Sequence, residues 1–153
     1  MRVIVGTKDG VLRVYEPVVK PRHVHEWQVV PKNQGSIRVI RVCPSERAIF
    51  VGDTLRHLYM VDIQTGRTLF QYKDITGTVS EVLTLNDVPR DRTLVIGSSL
   101  DHLIRVFDTG KPHGSTQRQR GKLLDQYFTG VDHAICMALD PHYNLDMASP
   151  EHE

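Results

Sequence analysis

The longest basic stretch of the sequence lies between residues 109 and 122, and it contains no acidic residue. Its cationic side chains are Lys111, Arg118, Arg120 and Lys122. Guanidinium and ammonium groups in such a loop can neutralise the phosphates of a nucleic acid without reading its bases. The loop has no aromatic side chain on which a base could stack. Two interpretations stay open: contact with an RNA backbone, or a solvated surface loop.

A second basic cluster precedes Trp27 and consists of Lys20, Arg22, His23 and His25. Lys20 and Arg22 are further candidates for contact with RNA or a protein partner. Two imidazoles two residues apart lie on one face of a strand, which suits a metal ion, but no third ligand of suitable spacing follows. The sequence therefore predicts a surface cluster and no metal site.

Catalytic motifs are missing from the sequence. It has no phosphate-binding glycine loop, no Gly-x-Ser-x-Gly turn and no His-Glu-x-x-His pair of zinc ligands. Two Asp-His pairs, at 101–102 and 132–133, are adjacent in sequence, so their side chains point to opposite faces of a strand. We therefore predict a protein without enzymatic activity or cofactor.

Composition indicates one folded domain without a membrane segment. Of the 153 residues, 40% are hydrophobic and 24% charged, which is enough apolar material for a core. No apolar run approaches the roughly 20 residues that a spanning helix needs, and the N-terminus lacks the pattern of a signal peptide. Cys43 and Cys136 stand alone in apolar runs and are predicted to be buried thiols.

Charge is divided unevenly along the chain. Residues 1–73 contain 12 Lys and Arg against 6 Asp and Glu, a net charge of +6. Residues 74–153 contain 7 against 12, a net charge of −5. A basic half suits phosphates or acidic partners, although scattered Arg and Lys also serve only to solvate a surface.

The elements that must position these residues repeat along the chain. Three segments share one outline, in which a short apolar run ends in glycine and a second apolar run ends in an acid. The acids Glu16, Asp62 and Asp108 are 46 residues apart, and the glycines are Gly6, Gly52 and Gly97. A period near 45 with two hairpins per unit is typical of four-stranded propeller blades.

Each unit should also repeat its turn chemistry. Asp9 and Asp101 stand seven residues before the closing acids, where an aspartate bonds back to a tight turn. Leu55 occupies this place in the middle unit, which predicts a weaker hydrogen-bond network there. Arg13 and Arg105 stand three residues before the closing acids, and we favour a structural role for both.

These patterns predict an all-β fold, a partial WD40-type propeller of about three blades within residues 1–140. The blades are placed at 1–31, 35–73 and 77–128, and the first strand of a further blade at 131–140. The last strand of the first blade is placed at 27–29. Residues 141–153 are predicted to be a disordered acidic tail. A closed ring needs four or more blades, so we expect either a fragment of a longer propeller or a homodimer.

Two runs give the sequence a more specific likeness. These are Tyr-Lys-Asp-Ile-Thr-Gly-Thr-Val at 72–79 and Leu-Asp-His-Leu-Ile-Arg-Val at 100–106. They resemble the WD repeat-containing protein 74 family, nucleolar assembly factors of the large ribosomal subunit. The resemblance runs from about Val3 to Leu139 and corresponds to the C-terminal half of the family's seven-bladed propeller.

The resemblance implies a scaffold of the nucleus and nucleolus that docks on large-subunit precursor particles and their assembly factors, with possible contact to ribosomal RNA. It also implies removal from the particle by an AAA-type ATPase. The sequence departs from the family at residues 20–22, where a pair of arginines before proline is reduced to Lys-Pro-Arg, and in its acidic end. The alternative is a general WD-repeat adaptor in another complex.

Overall fold

A computed structural model describes residues 1–17, 20–110 and 121–140, with residues 20–24 described by their backbone alone. These parts form three antiparallel sheets, and in each sheet the strands are paired in chain order. The first sheet contains β1 (Val3–Gly6), β2 (Val11–Glu16) and β3 (Lys20–Gln28). The second contains β4 (Ile37–Cys43), β5 (Ala48–Asp53), β6 (Leu58–Asp62) and β7 (Thr68–Tyr72). The third contains β8 (Val79–Asp87), β9 (Arg92–Ser99), β10 (Leu103–Asp108) and β11 (Leu123–Phe128).

The second sheet is covered on both faces. Every residue of β5 is buried, because successive side chains point to opposite faces and both faces meet apolar neighbours. Ile49 and Val51 pack with Leu12 of the first sheet. Phe50 packs with Phe107 of the third sheet. This stack of sheets confirms the predicted all-β, partial propeller fold.

An aromatic cluster fills the space between the second and third sheets. The ring of Tyr72 lies 5.0 Å from the rings of Phe70 and Phe107 and 6.3 Å from that of Phe50, measured between centroids. Tyr72 is 1% exposed. Removing one such buried ring costs about 3–5 kcal/mol of folding free energy, so this interface is a main source of stability.

The last strand of the first sheet differs from the prediction. It was expected at 27–29, whereas β3 runs from Lys20 to Gln28. Its pairing with β2 is irregular on both sides of Tyr15. As the outermost strand of its sheet it can accept Pro21 and several polar residues, which a central strand would not tolerate.

The strand predicted at 131–140 is not formed. The segment has no ladder, because no strand of a further blade is present in the described chain to pair with it. It is held by a hydrogen bond of 2.6 Å that the hydroxyl of Ser80 donates to the carbonyl oxygen of Ala134. Val131 and Ile135 are exposed. The predicted tail, residues 141–153, lies outside the described residues.

Two of the repeated glycines allow one sheet to approach the next. A Cβ atom on Gly6 would lie 2.3 Å from Ile37, the first residue of β4. A Cβ atom on Gly52 would lie 2.6 Å from Val79, the first residue of β8. The repeated glycine is therefore the place where the inner strand of the following sheet packs.

Gly97 was predicted from the sequence to be equivalent to Gly6 and Gly52, and this prediction is wrong. Gly6 pairs with Leu12 and Gly52 with Leu58, and the matching residue in the third sheet is Ser98, which pairs with Ile104. Gly97 lies one residue earlier. The nearest atom to a Cβ there is 3.7 Å away, in ordinary contact distance.

Gly52→Ala and Gly97→Ala should therefore differ, although both add one methyl group to a strand glycine. We expect Gly52→Ala to lower the free energy of unfolding by about 1–3 kcal/mol, because β8 has to move away. Gly97→Ala should be neutral or slightly stabilising, since alanine restricts the unfolded chain. Urea unfolding of both variants measures this, and equal losses would contradict the packing described for Gly52.

Candidate docking surface

The turn between β9 and β10 is built around the carboxylate of Asp101. Arg105 pairs with Asp101 at 2.7 Å and donates a hydrogen bond of 3.0 Å to the hydroxyl of Ser99. The Ser99 hydroxyl in turn donates to Asp101 at 2.5 Å. The side chain of Arg105 is 4% exposed, and the carboxylate of Asp101 is the counter-charge beside it.

The same carboxylate connects the turn to the preceding loop. The backbone N–H and the hydroxyl of Thr76 donate to Asp101 at 3.2 and 2.7 Å. A Cβ atom on the neighbouring Gly77 would lie 2.8 Å from the backbone nitrogen of Asp101, so only glycine lets the loop come this close. Thr76, Ser99, Asp101 and Arg105 are called the Asp101 cluster below.

Charge and burial act in opposite directions on Asp101. Burial disfavours the ionised carboxylate, but the hydrogen bonds from Arg105, Ser99 and Thr76 outweigh it and hold the pKa of Asp101 well below its usual range. Asp101 is therefore ionised in the folded protein at neutral pH. Its negative charge stabilises the buried guanidinium of Arg105.

The middle hairpin is organised by Asp53, which the sequence pattern did not single out. Its Oδ1 atom accepts hydrogen bonds from the backbone N–H groups of Leu55, Arg56 and His57 at 3.1, 3.0 and 2.8 Å. Its Oδ2 atom lies 2.5 Å from Nδ1 of His57. The expectation of a weak network at Leu55 is wrong, because an aspartate two residues earlier bonds the whole turn.

Asp53 also acts on a neighbouring tyrosine. Burial, assisted by the negative charge of Asp53, raises the pKa of Tyr59 to about 12. Tyr59 therefore stays a neutral phenol, packed against the ring of His57 at a centroid distance of 5.8 Å. The signal that could have found Asp53 is an aspartate at the very end of a buried strand, directly before a tight turn.

The first hairpin uses neither arrangement. Asp9 is exposed, and the turn is bonded by Thr7, whose side-chain oxygen accepts the N–H of Val11 at 3.0 Å. Gly10 closes the turn at φ 81°, a conformation that favours glycine. Arg13 pairs with Glu26 at 2.9 Å in solvent, where this hydrogen bond raises the pKa of Arg13. Arg13 and Arg105 thus match in sequence but not in environment.

Two of the closing acids bind the backbone of the turn that follows them. Asp62 accepts the N–H groups of Gln64 and Thr65 at 2.8 and 3.0 Å. Asp108 accepts the N–H of Gly110 at 2.8 Å. These aspartates shape the outer turns of the second and third sheets.

A basic residue stands opposite each closing acid. The backbone of Glu16 lies opposite that of Lys20 in the ladder of β2 and β3. The N–H of Asp62 donates to the carbonyl of Arg67 at 2.8 Å, and that of Asp108 donates to the carbonyl of Lys122 at 3.0 Å. Arg67 and Lys122 are exposed. We call Lys20, Arg67 and Lys122 the basic row. Arg67 was missed by sequence analysis because its turn carries no run of like charges.

The other predicted contact residues lie beyond what the structure describes. Lys111, Arg118 and Arg120 fall outside the described residues, and so do the side chains of Lys20 and Arg22, whose backbone begins β3. In the described part of the chain, no three His, Cys, Asp or Glu side chains are grouped as a metal ion would require. The same part has no helical segment of the length and hydropathy needed to cross a bilayer.

Comparisons with known proteins agree with this architecture. No family model matches the chain. Over 107 residues, 69% of the chain, it is 28% identical to WD repeat-containing protein 81 of Danio rerio, and this region is 5% of that protein. It is similar in structure to Saccharomyces cerevisiae Sqt1, with a TM-score of 0.73 and 16% identity over 95% of this chain and 36% of that one.

The WD40 repeats of RRP9 give a TM-score of 0.67 and 12% identity, covering 86% of this chain and 36% of that one. The chain therefore has the fold of WD40 repeats. It spans only a small part of the curated relative and about a third of each of these two solved structures.

The Asp101 cluster predicts unequal roles for two aspartates that occupy the same place in the repeat. Asp101→Asn should lower the free energy of unfolding by about 3 kcal/mol, because it leaves the buried guanidinium of Arg105 without a counter-charge. Asp9→Asn, at an exposed position, should change it by less than about 0.5 kcal/mol. Urea unfolding at neutral pH measures both, and similar values for the two variants would contradict the buried ion pair.

The lowered pKa of Asp101 also predicts a dependence of stability on pH. Because the pKa is lower in the folded state, the stabilisation is complete above about pH 4, the pKa of an unfolded aspartate. It is lost as the pH falls further towards the folded pKa. Asp101→Asn should therefore show a shallower loss of stability below pH 4 than the parent chain, and parallel curves would argue against the assignment.

Proposed function

We propose that this chain is part of a non-catalytic WD-repeat scaffold of the WD repeat-containing protein 74 family. In this proposal it acts in the nucleolus, where its sheets dock on precursors of the large ribosomal subunit and on their assembly factors. Release by an AAA-type ATPase belongs to the same proposal through the resemblance. The WD40 fold is the premise, and a fold alone does not determine a function.

The observation that carries the proposal is the contact between the two runs that resemble the family. Thr76 belongs to the run at 72–79 and Asp101 to the run at 100–106, and their side chains are joined by a hydrogen bond of 2.7 Å. Arg105 of the second run completes the cluster. Two runs that are separate in sequence thus form one connected polar unit, which supports treating them as a single family feature.

The basic row supports a phosphate-rich partner. Its three residues have their backbone at the outer turn of each sheet, and Lys122 directly precedes β11. Cations spaced along successive turns can follow a nucleic acid backbone without sequence preference. This arrangement fits contact with ribosomal RNA in a precursor particle.

Affinity purification from growing cells, followed by analysis of both RNA and protein, tests the function. We expect precursors of the large-subunit RNA and assembly factors of the same particle to copurify with the chain. A set of protein partners without precursor RNA would overturn the proposal and favour a WD-repeat adaptor in another complex. The similarity to WD repeat-containing protein 81 supports the adaptor as the second candidate function.

Charge removal in the basic row should weaken RNA binding in a defined way. Replacing Lys20, Arg67 and Lys122 with Ser should reduce the slope of log affinity against log salt by up to about 2–3, since each phosphate that the protein neutralises adds roughly 0.7–0.9 to that slope. Replacing Lys111, Arg118 and Arg120 tests the adjoining loop in the same way.

The matched control replaces three exposed cations at the opposite ends of the hairpins with Ser. These are Lys8, Lys32 and Arg56. It changes net charge by the same amount, so only a specific contact separates the two sets of variants. Equal effects of both sets would mean that binding follows net charge and that the basic row is not the contact.

A further inference from the structure

We propose that the turns at one end of the second and third sheets bind the backbone of duplex RNA, in preference to an unstacked single strand. The inner turns join β4 to β5 and β8 to β9, and the outer turns join β6 to β7 and β10 to β11. All four lie at the same end of their sheets, because neighbouring strands are antiparallel. We call these turns, with the strand residues that flank them, the four-turn surface. The proposal rests on the RNA contact proposed above and specifies which form of RNA that contact takes.

The inner turns add a second row of cations beside the outer turns. Residues 44–46 and 88–90 each form one turn of 3₁₀ helix, with a proline among its first residues that restricts the backbone. Arg47 follows the first of these turns and Arg90 ends the second, and both are exposed. Each of the two sheets therefore presents an inner and an outer cation on this surface: Arg47 and Arg67 in the second sheet, and Arg90 and Lys122 in the third.

The acids of the four-turn surface are mostly bonded within the protein. Asp62 and Asp108 accept backbone N–H groups of their own turns, as described above. Asp87 pairs with Arg92 at 2.8 Å, and the side chain of Asp87 is 10% exposed. Hydrogen bonds and an adjacent opposite charge offset part of a carboxylate's negative field, so these acids repel a phosphate less than free ones would. Asp91 is the one exposed acid in the described part of this surface.

The cations of this surface, by contrast, are available to an outside anion. The side chains of Arg47, Arg67 and Lys122 form no ion pair within the residues that the structure describes. Arg90 lies 3.5 Å from Asp87, but its side chain is 68% exposed, and such surface pairs contribute little stability. A phosphate can therefore bind these groups without displacing a strong contact inside the protein.

Hydrogen bonds join the four turns into one connected surface. The N–H of Ile63, in the outer turn of the second sheet, donates to the carbonyl oxygen of Arg47 at 3.1 Å. The neighbouring Glu46 accepts a hydrogen bond from the hydroxyl of Thr93 in β9. The carbonyl oxygen of Thr93 in turn accepts the N–H of Thr109, in the outer turn of the third sheet, at 3.0 Å. The backbone that carries the cations is therefore fixed before binding, which lowers the entropy cost of contacting a stiff duplex.

The four-turn surface has cations but no large aromatic side chain on which a base could stack. The exposed aromatics Tyr127 and Phe128 lie at the far end of β11. Proteins hold the bases of a single strand largely by stacking them on such rings, whereas the bases of a duplex stack on each other and its phosphates face outward. Two rows of cations without rings therefore favour the duplex. No Phe, Tyr or Trp occurs in the four turns, which are residues 44–47, 63–67, 88–91 and 109–122.

Binding of one RNA in two forms tests the inference. The purified chain is titrated at equal salt into a short RNA duplex and into each of its separated strands, which are chosen so that neither pairs with itself. We expect the duplex to bind at least about tenfold more tightly than either strand. Equal or tighter binding of a single strand would overturn this inference but not the proposed function, which depends on the precursor RNA that copurifies. Binding of neither form would also overturn the inference, and copurification then decides the function separately.

Arg47→Ser with Arg90→Ser tests whether the inner turns take part. We expect the slope of log affinity for the duplex against log salt to fall by up to about 1.8, since each neutralised phosphate adds roughly 0.9 to it. The matched control is Arg56→Ser with Lys73→Ser, two exposed cations at the opposite end of the sheets. All four positions are exposed, so the thermal unfolding of both variants should resemble that of the parent chain. Equal slopes for the two variants would contradict a contact at the inner turns.

Asp91→Asn gives a test in the opposite direction. It removes the exposed acid of the four-turn surface, so the affinity for the duplex should rise roughly two- to fivefold. Asp74→Asn is the matched control, because Asp74 is also exposed, lies at the opposite end and has a left-handed backbone, with φ 69° against 48° for Asp91. Asparagine adopts this backbone conformation as readily as aspartate does. No gain from Asp91→Asn, or an equal gain from Asp74→Asn, would overturn the placement of a duplex on the inner turns.

Discussion

Each sheet of this protein has apolar side chains on both faces, and this constraint governs the rest of the structure. β5 is buried at every residue, and in an isolated sheet its apolar side chains would be exposed to solvent on both faces. The sheets must stack, and the stack needs close approach at Gly6 and Gly52, where the inner strand of the next sheet packs on backbone. The polar clusters in the turns form on hairpins whose strands are held in place by this stacking.

The three hairpins stabilise the same turn of the repeat with different side chains. The same turn is bonded by Thr7 in the first sheet, by Asp53 in the second and by Asp101 with Arg105 in the third. All three solutions satisfy the backbone N–H groups of a tight turn. They differ in charge and burial, so a mutation at equivalent positions has unequal effects on stability.

Periodicity predicted the number of sheets and most strands, because acids 46 residues apart mark the end of the strand that precedes the outermost strand of each sheet. It failed where tertiary contacts decide. Gly97 is a glycine near the position expected from the repeat, but its strand pairing differs. In the third sheet the residue that matches Gly6 and Gly52 in pairing is Ser98, one residue after Gly97. Asp53 has a local signal at the end of its strand, but it lies outside the positions that the repeat identifies. Arg67 carries no local pattern of its own, and only the pairing of strands places it opposite Asp62. The strand expected at 131–140 required a partner that pattern analysis cannot supply.

The two-sided burial of β5 has a consequence for the motions of the protein. Local opening of a sheet exposes amides to solvent, and the free energy of opening is greatest where packing is closed on both faces. Amide hydrogen exchange should therefore be slowest in β5 and β6 and faster in β11, whose residues are mostly exposed. The middle sheet then behaves as the cooperative unit of the chain, and the outer sheets open before it.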